Sequence, residues 1–352
     1  MSGSALPTSL VFPRTLQAAL AFLLAGAAPA MAGSYSYTTI DVGEGSTGTI
    51  ASGVNAQGVV TGWYDGGDGT THGFTWSAGI FTSFDAIPGA GATLPVAING
   101  RGQVVENFIS NAGGNRIGFL REPDGVQHKL PFPASVSVQV NAINGHGAII
   151  GDTLADAHAS PIGFLLIDHV VTPLLVPGSS TSTADAINDS GAVAGTFIDA
   201  SGPGGYIYTA GTYTIFRAPR QNAPQPSAIN AAGLVSGAYL DVTHHGTSAT
   251  DRGFTFGHDG FHSFNPVWSL NTWIAKAFAP GDYVGTMESP VAYEGFVFRN
   301  GHGIPILPPD AASGYVVGGT QSGIVVGNYT DRAGMDHGFM AACPTAQAPC
   351  TK

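Results

Sequence analysis

From Asp241 to Arg252 the chain reads Asp-Val-Thr-His-His-Gly-Thr-Ser-Ala-Thr-Asp-Arg. This segment crowds together His244, His245, the carboxylates of Asp241 and Asp251, and the Arg252 guanidinium. Trp268 and Trp273, two of the four tryptophans, follow in what reads as the next crossover. Aromatic faces beside His, Asp and Arg suit stacking on, and hydrogen bonding to, a sugar or similar polar ligand. A catalytic version makes His244 or His245 a general base while Arg252 neutralises an acid group. The plainer alternative is a solvated loop whose neighbouring histidines point apart.

Other candidates are sparser. His72 and His337 each precede a Gly-Phe pair, and they either share a ligand or act as strand-end hydrogen bonders. Asp65 and Asp68, in Asp-Gly-Gly-Asp-Gly, offer oxygen ligands to Ca2+. They lack the third acid and terminal Glu of a Ca2+ loop, and Asp-Gly is ordinary turn chemistry. Asp331 to His337 forms a similar loop with the same outcome. No cofactor is expected beyond this weak Ca2+ option. No zinc-protease helix motif, nucleophile elbow or nucleotide-binding glycine pattern occurs in a suitable context.

Composition narrows the partners. Only 12 residues are Lys or Arg against 23 Asp or Glu, for a formal net charge of -11, and the lysines are Lys129, Lys276 and Lys352 alone. Binding a phosphate backbone needs clustered cations, so nucleic acid is excluded as a partner. A carbohydrate or protein ligand fits better. Residues 1–32 read as a signal peptide: Arg14, an apolar run, then Ala30-Met31-Ala32 as a small-x-small cleavage site. No later stretch reaches ~18 apolar residues, so no transmembrane segment remains after signal removal. A secreted or periplasmic monomer is expected. In such an oxidising compartment Cys343 and Cys350 pair as a short disulfide clip on the tail 343–352, contributing ~2–3 kcal/mol.

The elements that must position these residues come from an internal repeat. Ala-Ile-Asn-x-x-Gly-x-Val-x-Gly-x-Tyr recurs at 53–64, 97–108, 142–153, 186–197 and 228–239, with worn copies at 277–287 and 318–329. Its turn glycines are Gly58, Gly102, Gly147, Gly191, Gly233, Gly281 and Gly323, spaced by 44, 45, 44, 42, 48 and 42 residues. A Gly-aromatic pair keeps step, from Gly73-Phe74 to Gly338-Phe339. The repeated Asn residues (Asn55, Asn99, Asn144, Asn188, Asn230) sit in the turns, where an Asn side chain satisfies backbone groups. Each unit holds four short strand-like runs separated by Gly turns. That pattern predicts an all-β fold, a seven-bladed β-propeller of four-stranded blades over 33–342.

The last unit lacks a fourth strand, while the mature N-terminus carries an orphan strand at 35–41. The N-terminal strand is therefore expected to complete the last blade and close the ring, removing exposed sheet edges. The motifs resemble the HAF family of probable extracellular repeats, whose His-(Ala/Gly)-Phe element is intact here as His72-Gly73-Phe74 and His337-Gly338-Phe339. The resemblance implies export and a repeated β-architecture, and brings no catalytic residues with it.

First strands are expected to line a central channel, with long variable loops at the end opposite the Asn turns. Function on a rigid scaffold gathers on such loops. Two readings follow: a binding module for a glycan or envelope component acting through the long-loop face, or an extracellular polysaccharide lyase or hydrolase with its site at the channel mouth.

Overall fold

The computed structural model describes residues 35–43, 45–154, 160–242, 249–266 and 269–343. The expected signal segment, His244, His245, Trp268 and Cys350 lie outside the described residues. Every regular element among the described residues is a strand, apart from one 3-10 turn at Pro219–Gln221.

The first strand, β1 (Ser36–Ile40), precedes the repeats. Repeat one then forms β2 (Thr49–Val54), β3 (Val60–Asp65), β4 (Thr71–Ser77) and β5 (Ile80–Phe84), paired antiparallel in chain order. Repeat two does the same with β6 (Gly91–Ile98), β7 (Val104–Ser110), β8 (Ile117–Arg121) and β9 (Gln127–Lys129). Repeat three supplies β10 (Ser137–Ile143), β11 (Ile149–Leu154), β12 (Ile162–Ile167) and β13 (Val170–Leu174). Repeat four supplies β14 (Thr181–Ser182), β15 (Ala186–Ile187), β16 (Val193–Asp199), β17 (Gly202–Thr209) and β18 (Thr212–Phe216). These nine strands count as one sheet, because a parallel bridge between Ile162 and Ser182 joins the two repeats.

Four-stranded sheets resume in repeat five with β19 (Pro224–Ile229), β20 (Val235–Val242), β21 (Ala249–Gly257) and β22 (Gly260–Phe264). Repeat six follows with β23 (Asn271–Ala279), β24 (Asp282–Glu288), β25 (Tyr293–Arg299) and β26 (His302–Ile306). Repeat seven has β27 (Ala311–Gly319), β28 (Val325–Asp331) and β29 (Asp336–Ala342). Its fourth strand is β1, antiparallel to β29 with Ile40 opposite Gly338.

The turns explain the repeat. All seven turn glycines have φ between 79 and 96°, a region that an L side chain resists. In four of the five Asn turns the Asn Oδ1 accepts backbone N–H groups two and four residues on, as Asn144 does from His146 and Ala148; Asn188 accepts only the second, from Ala192. Each Asn Nδ2 then reaches into the next repeat: Asn55 to the Asn99 carbonyl, and so on through Asn144, Asn188 and Asn230 to Phe278, at 2.8–3.1 Å. One side chain therefore closes its own turn and ties two repeats together.

The core lies between sheets. In six repeats a glycine on the second strand lets the aromatic ring of the Gly-aromatic pair lie flat on the backbone. A Cβ on Gly62 would stand 2.0 Å from the Ile50 carbonyl oxygen and 2.8 Å from the Phe74 ring, and Gly327 is alike against Tyr315 and Phe339. The rings of Phe74, Phe164, Tyr206, Phe254, Phe296 and Phe339 are fully buried, each contributing about 1.5–3 kcal/mol. Repeat seven packs on repeat one in the same way, with Ile40 and Val326 clustered against Ala51, Val60 and Phe74. Asn328 bonds both the N–H and the carbonyl of Ala51 there, at 2.7 and 2.9 Å. Cys343 packs at the edge of the last core cluster.

Candidate functional site

Five residues before the Asn-turn position, the first strand of each repeat, or in repeat four the link between β14 and β15, presents one side chain at its opposite end. Down the repeats these are Ile50, Leu94, Gln139, Thr183, Gln225, Trp273 and Tyr315. Only repeats six and seven carry aromatics in this row. Trp273 and Tyr315 line a cavity of about 420 Å3 together with Tyr293, Thr286, Ser313, Gly314 and Thr330. Trp273 and Tyr293 have ring centroids 6.0 Å apart at 44°. Three aromatic faces and several hydroxyl groups, drawn from two sheets, thus surround one space.

The cavity's walls are held by an acidic shell. The Asp251 carboxylate arrives from repeat five beside the Trp273 indole. Asn271 fixes this junction, since its Oδ1 accepts the Asp251 N–H at 2.6 Å while its Nδ2 donates to Glu288. Burial raises the Asp251 pKa; the nearby Trp273 indole works against this, and the Glu288 charge adds to it. Glu288 stands directly across the ladder from Tyr293. Thr330 donates to Asp336 at 2.7 Å, and burial raises the Tyr315 hydroxyl, with Asp336 adding to the effect. Thr286 is spoken for, accepting the Val316 N–H at 3.0 Å.

The structure redistributes the residues expected from sequence. Asp241 and Arg252 belong to paired strands rather than a long loop, because β20 runs on to Val242 and β21 begins at Ala249. Trp273 likewise lies inside β23 rather than in a crossover. Asp251 and Trp273 lie close together. Arg252 instead donates its Nε to Asp241 at 2.6 Å, and Arg220 binds the other oxygen of that carboxylate at 2.8 Å. Arg252 and Arg220 therefore share the one carboxylate of Asp241.

His72 and His337 each have their own pair of aspartates. His72 stands between Asp85 at 2.8 Å and Asp68 at 3.3 Å, and His337 between Asp41 at 2.9 Å and Asp331 at 3.5 Å. Each ring also lies against a tyrosine, Tyr64 and Tyr329. Partial burial opposes the charge of both imidazoles, but the carboxylates outweigh it and raise both pKa values. They are strand-end bonders, and His337 joins β29 to the residue just after β1. Asp65 accepts from Thr71, and Asp68 from Thr70, within their own loop.

Three departures from the repeat escaped the sequence reading, although aligning the repeats exposes them. Glu106 occupies the glycine position of the second strand. It is fully buried, and neither carboxylate oxygen has a hydrogen-bond partner among the described residues. Burial pushes its pKa up to about 8, with Arg121 pulling it down and Asp85 pushing it further up. Lys276 stands where other repeats have Gly or Ala. Phe278 replaces the turn Asn of that repeat, and the Lys276 ammonium instead reaches the Gly319 carbonyl at 3.4 Å. Burial lowers its pKa.

Asp185 is the third. Asp152 beside it acts as a stitch between repeats three and four, accepting from the Ala184 N–H and from Asn141. Burial and this neighbouring charge push Asp185 up to about 7.

No family model and no curated protein matches the sequence. Solved structures similar to the chain include the β-propeller domain of the trilobed protease from Pyrococcus furiosus. It has a TM-score of 0.57 at 9% identity, over 86% of this chain and 99% of that one. YCF48 bound to D1 peptide gives 0.53 at 8% identity, over 89% and 96%. Pyrococcus horikoshii acylaminoacyl peptidase gives 0.52 at 8% identity over 80% of this chain, which spans about half (49%) of that enzyme. At such identities the likeness concerns the fold: the chain is an all-β protein of the β-propeller type.

Proposed function

We propose that this is an exported seven-bladed propeller, closed by its N-terminal strand, that binds carbohydrate in the cavity lined by Trp273, Tyr293 and Tyr315. The observation that carries the reading is the meeting of those three aromatic rings with the hydroxyls of Ser313 and Thr330 around one 420 Å3 space. Flat aromatic faces take up the C–H faces of a sugar ring, and hydroxyls beside them pair with its rim. The ladder between β1 and β29, the Asn328 bonds to Ala51 and the His337–Asp41 pair support closure. The leader-like pattern of residues 1–32 and the resemblance of the repeats to the HAF family support export.

A second reading, a polysaccharide lyase or hydrolase, draws on the two carboxylates Asp251 and Glu288 beside Trp273, of which Asp251 is held above its ordinary range. A glycan array followed by a product assay on every hit tests both. Binding without turnover, lost in Trp273→Ala and Tyr315→Ala, supports the binding module; release of shortened products makes it an enzyme. YCF48 carries a peptide in its solved structure, so binding of peptides but no glycans would redirect the proposal to a protein partner.

A further inference from the structure

We infer that the cavity selects a sugar carrying a protonated amino group, an inference that rests on the carbohydrate reading above. None of its lining residues is Lys, Arg or His. Three carboxylates are instead coupled to that lining: Asp251 to the Trp273 indole, Asp336 to the Thr330 hydroxyl, and Glu288 across the ladder from Tyr293. They come from repeats five, seven and six, so the packing of three sheets concentrates negative charge around one aromatic space.

Several basic groups on the neighbouring strands have partners of their own. Arg252 is held by Asp241 at 2.6 Å, Arg299 by Asp282 at 2.7 Å, and Lys276, three residues along the strand from Trp273, bonds the Gly319 carbonyl.

Two physical effects then favour an ammonium. Aromatic faces attract cations through the ring quadrupole, and Trp273, Tyr293 and Tyr315 supply three. Asp251 feels the charge of Glu288, so a cation beside them relieves a repulsion that a neutral sugar leaves in place. A uronic acid meets the reverse situation, adding a fourth negative charge to a site on a protein of net charge -11.

Titration calorimetry at about pH 6 with glucosamine, N-acetylglucosamine and galacturonic acid oligomers of equal length tests the inference. The amino form is expected to bind at least about tenfold more tightly than the acetylated form, with galacturonate weakest. Raising salt should narrow that ratio. The variants Glu288→Gln and Asp336→Asn should each shrink it several-fold, a readout that a folding defect, which weakens both ligands together, does not produce. Equal or tighter binding of the N-acetyl form, still abolished in Trp273→Ala, overturns the inference while leaving the carbohydrate reading standing. Failure of all three sugars overturns the reading and the inference together. Oligolysine binding as tightly as the amino sugar, by the same residues, overturns the assignment to a sugar.

Discussion

Asn55, Asn99, Asn144, Asn188 and Asn230 build one hydrogen-bond pattern, nearly unchanged, at one end of the first strands. At the other end of the same strands the corresponding row runs Ile, Leu, Gln, Thr, Gln, Trp and Tyr. The Asn end does the same mechanical work in each repeat, so the same residue recurs. The aromatic end has no shared task, and chemistry collects where two neighbouring repeats depart from the others together. In a repeat protein, recurrence therefore marks scaffold, and departures mark either function or a local structural substitute. Lys276 is a substitute, replacing an absent Asn; Trp273 and Tyr315 are not.

Glu106 tests this contrast most strongly, because it departs from the scaffold row with no hydrogen-bond partner for its carboxylate among the described residues. Its pKa is raised from 4.5 to about 8, so the folded chain holds a proton that the unfolded chain releases. Stability should then fall as pH climbs from about 4.5 to about 8 and level off above, by up to ~5 kcal/mol. Urea unfolding across that range should show the fall in the wild type and lose that component in Glu106→Gln. Equal slopes in both proteins would remove Glu106 from the list of meaningful departures.

Asn144→Ala should come next, at about 3 kcal/mol, since it strips bonds to His146, Ala148 and Asn188 from a buried turn. Its denaturation midpoint should drop while glycan affinity holds. Trp273→Ala should behave oppositely, losing ~2 kcal/mol or more of binding, roughly thirtyfold, with little change in midpoint. If both variants lost stability and binding alike, the division between scaffold end and site end would collapse.

The smallest effect is expected at the His337 clasp. Burial disfavours its charge, yet Asp41 and Asp331 hold the pKa above 6.5. The clasp thus adds stability that is full below about pH 6.5 and fades as pH rises through the raised value. His337→Gln should lower the melting temperature at about pH 5.5 and barely alter it at about pH 8.5. A difference that grows with pH instead would refute the sign.

Much of this was legible before any coordinates. The 42–48 residue period, the Asn-x-x-Gly turns and the four strand runs depend on neighbours a few residues apart, and they fold as read. Strand limits were harder. The segment from Asp241 to Arg252 looks like a polar loop, yet Asp241 sits opposite Thr250 and Leu240 opposite Asp251, because pairing extends as far as the backbone can form its ladder, whatever the side chains. Glu106 was visible as a Glu in a glycine column, but its burial and the lack of a hydrogen-bond partner among the described residues were not.

The sequence by itself determined the repeat, the strand order within each unit and the turn chemistry, since alternation and positive-φ glycines act locally. Tertiary structure alone decided which side chains share a space. Asp251, Trp273 and Tyr315 come from three repeats, and His337 lies 296 residues from Asp41. Their meeting depends on how neighbouring sheets pack and on where β1 returns, quantities set by the summed packing of many glycine and aromatic contacts rather than by any one motif.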